Sequence, residues 1–106
     1  MIVELYRYQI RPGMQDQWQK FMVEQAIPRQ TAAGMVILGH FWDRDHPEAY
    51  WWMRRFEDET QREELYRRVY DDPHWAEVIR PEIWRLAVPG SGETFSLTPT
   101  PTSPIH

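Results

Sequence analysis

Two neighbouring stretches, residues 35–42 (MVILGHFW) and 50–56 (YWWMRRF), carry bulky apolar side chains at both odd and even positions. Alternate residues of a strand point to opposite faces of its sheet. Whichever register the pair adopts, Phe41, Trp51 and Met53 therefore fall on one face, and Trp42 and Trp52 on the other. Neither set is tolerable as a large patch in water, so a sheet built from these strands needs cover on both sides. The polar segment Asp43-Arg44-Asp45-His46-Pro47 between them reads as the turn of a hairpin.

The flanking segments extend the pattern. Residues 2–10 (IVELYRYQI) alternate with a period of two and end at Pro12-Gly13, which predicts a first strand. Met14, Trp18, Phe21, Met22 and Ile27 recur at helical spacing up to about Thr31, with Pro28 expected to end or kink the helix. Asp58 followed by Gln61 has capping-box spacing and opens a helix with Leu65, Tyr66, Val69 and Tyr70 on one side. Asp72-Pro73 caps a further helical stretch with Trp75, Val78 and Ile79 on one face; Pro81 is expected to interrupt it before Ile83, Trp84 and Leu86. Residues 93–98 (ETFSLT) read as a short fourth strand, closing a domain over residues 1–98. The proline-rich tail, residues 99–106, is expected to be extended or disordered.

Strand, helix, strand, strand, helix, strand is the order of an α+β, ferredoxin-like βαββαβ fold. Right-handed crossovers put both helices on one face of a four-stranded antiparallel sheet, with the third strand between the first and second. The other face stays bare. A chain of 106 residues buries only about two-thirds of its unfolded surface, and this one has no cysteine to staple it. A homodimer packing sheet on sheet would cover the bare face and complete the core.

Charge narrows the partners. Sixteen acidic residues outnumber twelve basic ones, for a formal charge of −4, and no aromatic string of RNA-binding type is present, so no nucleic-acid partner is expected. No run of 18 apolar residues occurs and a strand begins at Ile2, so neither a membrane span nor a leader is expected, and the location is read as cytoplasmic. Eleven of the twelve cations are Arg, planar groups that stack on rings and grip carboxylates, which suits a small organic ligand. His40, Asp43, Asp45 and His46 cluster at the hairpin but match no metal-ligand spacing; no metal and no cofactor are expected.

Alternation puts Glu4, Tyr6 and Tyr8 on one face of the first strand, and Trp52, Arg54 and Phe56 on one face of the third. His40 alternates with Val36, Leu38 and Trp42 on the second. If these faces coincide, His40 or Glu4 would be the catalytic proton-transfer group. Tyr6, Tyr8 and Arg54 would hold an oxyanion or carboxylate, and Trp42 and Trp52 would wall a ring. In the alternative, the tyrosines are core residues, Glu4 pairs with Arg54, and His40 is structural. The mixed-charge run from Arg62 to Arg68 reads as a solvated helix face with pairs such as Glu63 with Arg67 and Glu64 with Arg68. Trp75 and Trp84 fill the core or roof a cavity.

Four strings, VELYRYQIRPG (3–13), MVILGHF (35–41), WMRRFED (52–58) with Arg62 following, and LTPTPTSPI (97–105), resemble the NIPSNAP-like members of the dimeric α/β-barrel superfamily. The resemblance spans nearly the whole chain and implies a homodimer whose two sheets form a barrel, with a cavity per subunit between sheet and helices. Tyr6 stands where the first-strand pattern of that group usually has Arg, so any anion-holding role of that Arg passes to a neighbour such as Arg54. The function implied is cofactor-independent chemistry of monooxygenase, isomerase or lyase type on an aromatic or apolar metabolite. The alternatives are a non-catalytic small-molecule-binding or assembly protein, and a haem-binding or haem-degrading one using His40 or His74. No haem signature accompanies either histidine.

Overall fold

The computed structural model describes all 106 residues. Four strands, β1 (Ile2–Gln9), β2 (Val36–Trp42), β3 (Ala49–Phe56) and β4 (Glu93–Leu97), form one antiparallel sheet in the order β2-β3-β1-β4. This is the ferredoxin-like order, with β3 between β1 and β2 as expected.

The helical layer departs from expectation at its prolines. Residues 15–33 run without a break, as α1 (Gln15–Phe21), a π-helical turn (Met22–Ala26) and α2 (Ile27–Ala33), although Pro28 sits in the first turn of α2. The π turn shifts the hydrogen bonding by one residue, with the Ile27 N–H donating to the Met22 carbonyl. Pro28 thus enters a fresh helical turn, where its missing N–H leaves no gap in the ladder. The same device recurs at Pro81: a π turn (Trp75–Ile79), in which Arg80 N–H donates to Trp75 O, leads into α4 (Arg80–Leu86). Trp75 and Ile79 are buried there, while Val78, expected on their face, is exposed. Between these assemblies α3 (Glu59–Tyr70) is capped as predicted: the Asp58 carboxylate accepts from Gln61 N–H, and the Gln61 side chain accepts from Glu57 N–H.

The register decides which face each ring occupies. Glu4 pairs with Arg54, Tyr6 with Trp52 and Tyr8 with Tyr50, all toward the helices. There Trp18, fully buried on α1, packs edge-on against Tyr8 and Tyr50 at 5.0 and 5.6 Å. Leu5 and Arg7, with their partners Met53 and Trp51, point the other way. In β2 a bulge between Ile37 and Gly39 breaks the alternation: Ile37 packs against the helix-side core opposite Arg54, whereas Val36, expected to share the face of His40, pairs with Arg55 and is exposed.

The face away from the helices is apolar and open. Val36, Phe41, Phe95 and Leu97 are exposed on it, with Trp51 stacked on Phe95 at 6.3 Å and the Arg7 guanidinium over Trp51. The Phe41 ring lies across Gly39, where a Cβ would meet it at 2.7 Å, so glycine makes room for the ring. The tail turns at Thr100, whose carbonyl accepts from Ser103 N–H, and borders a shallow hollow floored by Val3 and Met53.

Candidate functional site

Between helices and sheet lies a cavity of about 380 Å³. Its floor is the central strand pair, contributing Tyr6, Tyr8, Trp52 and Arg54, with Thr94 of β4 at the edge. Met22, Ala26 and Gln30 come from the first helical assembly, and Arg62, Tyr66 and Tyr70 from α3. Trp75, Arg80, Ile83 and Trp84 come from the last assembly and close the roof. Placement follows from period: Met22, Ala26 and Gln30 recur every four residues, as do Arg62, Tyr66 and Tyr70, so each set forms one stripe facing inward. Gly92 admits the Tyr6 ring, whose hydroxyl occupies the space a Cβ there would need.

At one end of the floor a buried charge network ties sheet to helix. Arg54 Nε donates to Glu4 Oε1 at 2.8 Å, and Arg62 Nε donates to Glu4 Oε2 at 2.6 Å. The Tyr66 hydroxyl donates to Glu4 Oε1 at 2.7 Å and accepts from Arg54 Nη2, while Tyr70 accepts from Arg54 Nη1 at 2.5 Å. The Arg54 guanidinium also lies 4.9 Å from the ring centroids of both Trp52 and Tyr66. Glu4 and Arg54 are 1% and 2% exposed, a burial tolerable only because each charge is paired and hydrogen-bonded.

The electrostatics assign protonation states. Burial alone would push the Glu4 carboxyl up, but the charge of Arg54 and the hydrogen bonds from Tyr66, Arg62 and Arg54 outweigh it and hold the group below its ordinary value. Burial raises Tyr8 and Tyr70, for Tyr70 against the opposing charge of Arg54, so both phenols stay protonated at neutral pH. Burial raises Tyr66 as well, and its hydrogen bond to Glu4 adds to the effect.

A folded-state carboxyl value depressed below the ordinary 4.5 stabilises the fold above that pH, and the contribution disappears as pH falls through the depressed value. The stability difference between wild type and Glu4→Gln is therefore expected to be large at pH 7 and to shrink below about 4.5. Urea midpoints of the two proteins measured from neutral to acid pH check this; a difference independent of pH contradicts the charge network.

The structure brings five of the seven residues singled out in the sequence together: Glu4, Tyr6, Tyr8, Trp52 and Arg54. Glu4, however, lies behind the cavity wall with both oxygens engaged, and the raised carboxyl expected of a general base is replaced by a lowered one. His40 and Trp42 stand apart. The edge strand β2 carries them beyond β3, where His40 is exposed with its ring 6.1 Å from Tyr50. Trp42 donates to the Gln19 side chain at 2.8 Å and packs edge-on against Tyr50. Neither touches the cavity. His74 also lies outside the cavity lining. At the hairpin the Asp43 carboxylate accepts from Trp51 Nε1 and from the backbone N–H groups of Asp45 and His46, an ordinary turn geometry.

Sequence reading missed Arg62, which turns inward from the run taken as a solvated face; Glu64 does pair with Arg68, but Glu63 and Arg67 form no pair. It also missed Gln30 and Arg80. The inward stripe of Arg62, Tyr66 and Tyr70 was a visible signal for the first. Two residues that line the cavity, Gln30 and Trp52, each carry a fully enclosed polar atom, Oε1 and Nε1, without a hydrogen-bond partner. Each orphan costs about 1–3 kcal/mol in a dry site.

A family model for NIPSNAP proteins matches residues 3–104. The chain belongs to the NIPSNAP family. Its fold superposes on a NIPSNAP-domain protein from Burkholderia xenovorans with a TM-score of 0.87 at 20% identity, covering 98% of this chain and 99% of that one. A NIPSNAP-family protein from Agrobacterium tumefaciens is 28% identical with a TM-score of 0.86, over 99% and 98% of the two chains. An antibiotic biosynthesis monooxygenase shares the fold at 14% identity and a TM-score of 0.68, over 95% and 100%. No curated protein matches the sequence. No helix of this NIPSNAP chain is long and apolar enough to cross a membrane.

Proposed function

We propose that this NIPSNAP chain binds a small organic anion with an apolar, ring-containing body in the cavity between helices and sheet. The observation that carries the proposal is the composition of the wall: aromatic and aliphatic side chains with three guanidiniums, Arg54, Arg62 and Arg80, and no carboxylate, histidine or thiol. Glu4 compensates part of that charge from behind, and Glu59 takes another part through Arg62. Arg80 has no partner and stands exposed at the rim, ready for an anionic group.

A wall without a group that titrates near neutrality favours binding over acid-base catalysis by a side chain. The reading with chemistry draws on the likeness to the monooxygenase fold and on the Tyr66 and Tyr70 hydroxyls clustered at Arg54. In it the substrate gives up an acidic proton to water, no cofactor takes part, and the hydrogen-bond cluster steadies the anion that forms. His40→Ala is then neutral, and turnover falls with Tyr66→Phe.

Calorimetric titration with 2-naphthoate and with uncharged 2-methylnaphthalene tests the binding reading. The acid is expected to bind and the hydrocarbon to bind at least about tenfold more weakly, the equivalent of one lost charge-assisted contact. Equal affinities, or no binding of either, would refute it. Arg80→Gln is expected to remove most of the preference, whereas His40→Ala leaves it intact. We propose also that two copies pair through the bare sheet face; soluble, cytoplasmic residence accords with this reading.

A further inference from the structure

Resting on the binding reading above, we infer that Glu59 is a built-in competitor of the ligand: it occupies Arg62, a second guanidinium of the cavity wall, and restrains the binding of acids. Arg62 has two counter-anions of different kinds. Its Nε donates to Oε2 of Glu4 at 2.6 Å, and its guanidinium lies 4.3 Å from the Tyr66 ring centroid, contacts that fix the group in the wall. Its Nη1 donates to Glu59 Oε1 at 3.1 Å, one turn back on α3, and its Nη2 has no partner in the chain. The Glu59 side chain is 59% exposed and that of Arg62 27%, whereas that of Glu4 is 1% exposed. The inner pair is therefore sealed and the outer one is open to solvent.

An exposed ion pair is weak, screened by water and salt, and so it exchanges readily for another anion. The charge balance leaves room for such an exchange. Glu4 is shared by Arg54 and Arg62, two guanidiniums against one carboxylate, so these three groups carry one positive charge between them. Glu59 cancels it from the solvent side. A ligand carboxylate in the cavity cancels the same charge, and Glu59 has only to swing into water to give way, while Glu4 and Tyr66 keep Arg62 in its seat. Arg80 needs no such release, being exposed and unpaired at the rim. Glu59 thus sets the affinity for acids through Arg62 and leaves the apolar part of the wall untouched.

Calorimetry with 2-naphthoate and 2-methylnaphthalene on wild type and Glu59→Gln tests this. The variant is expected to bind the acid about threefold more tightly, the size of one exposed pair released, and the hydrocarbon with unchanged affinity. The gain is expected to shrink in about 1 M salt, where the pair is already screened in the wild type. Glu63→Gln is the control: Glu63 is exposed on the same helix and pairs with no cation, so its loss removes the same charge without freeing Arg62, and the affinity for the acid is expected to stay at the wild-type value. Unchanged or weaker binding of 2-naphthoate by Glu59→Gln, or an equal gain in Glu63→Gln, overturns the inference and leaves the binding reading standing. Failure of wild type and both variants to bind the acid overturns both.

Discussion

Replacing Arg54 by Met is expected to destabilise the fold by about 3 kcal/mol, because it leaves the Glu4 carboxylate buried with only Arg62 and Tyr66 to compensate it. Arg54 is also the only cation hydrogen-bonded to Glu4 Oε1 and the donor that holds the Tyr66 and Tyr70 hydroxyls in place, so its loss opens the floor of the cavity as well. For a domain of this size the change corresponds to a drop in Tm of about 12 °C or more. The control is the double variant Glu4→Gln/Arg54→Met, which removes the stranded charge and is expected to regain much of the loss. Thermal and urea unfolding of the three proteins give the answer. A single-variant loss below about 1 kcal/mol, the range of an exposed pair, would show that the network is not the structural centre its burial indicates.

The largest effect on assembly is expected from Phe41→Asp combined with Phe95→Asp. Wild-type protein should sediment at twice the 12.9 kDa chain mass at micromolar concentration, and the double variant at the chain mass. Both phenylalanines project from the open sheet face at 52% and 42% exposure, so neither substitution disturbs the core. In a dimer packed through that face, each aspartate would strand a carboxylate against apolar surface. With tenfold in affinity per about 1.4 kcal/mol, two such penalties weaken association by upward of about a thousandfold. A wild-type monomer would refute the pairing proposed through this face. So would a double variant that still dimerises.

Legibility in the sequence followed the range over which each signal acts. Strand alternation and helical stripes are local, and they placed every strand to within a residue or two. They also put Glu4, Tyr6 and Tyr8 on one face and Trp52, Arg54 and Phe56 on another. The pairing of Glu4 with Arg54 was one of two readings those faces allowed, and cross-strand register selected it. The prolines misled because proline was weighed against an α-helix alone; a preceding π turn changes the hydrogen-bond register and removes the conflict at Pro28 and Pro81 alike. The β2 bulge moved Val36 off the face where strict alternation put it, and a bulge has no reliable signature in a run as apolar as MVILGHFW.

Site residues from distant segments were the hardest to see. Arg62 sits in a run of Arg and Glu that looks the same whether a given side chain faces water or a carboxylate 58 residues earlier in the chain. Gln30 is one polar residue among many on its helix, and nothing local marks it as buried. His40 drew attention through its chemistry, yet the place of β2 at the sheet edge removes it from the cavity.

By itself, then, the order of periodic segments determined a ferredoxin-like sheet with one helix-covered face and one apolar face exposed, because side-chain period and chain connectivity leave little freedom at that level. Tertiary structure alone decided which rings meet in the cavity and which guanidiniums are already paired and which are free. Those outcomes depend on contacts between residues far apart in the chain, whose energies are settled only when strands, helices and charges are packed together.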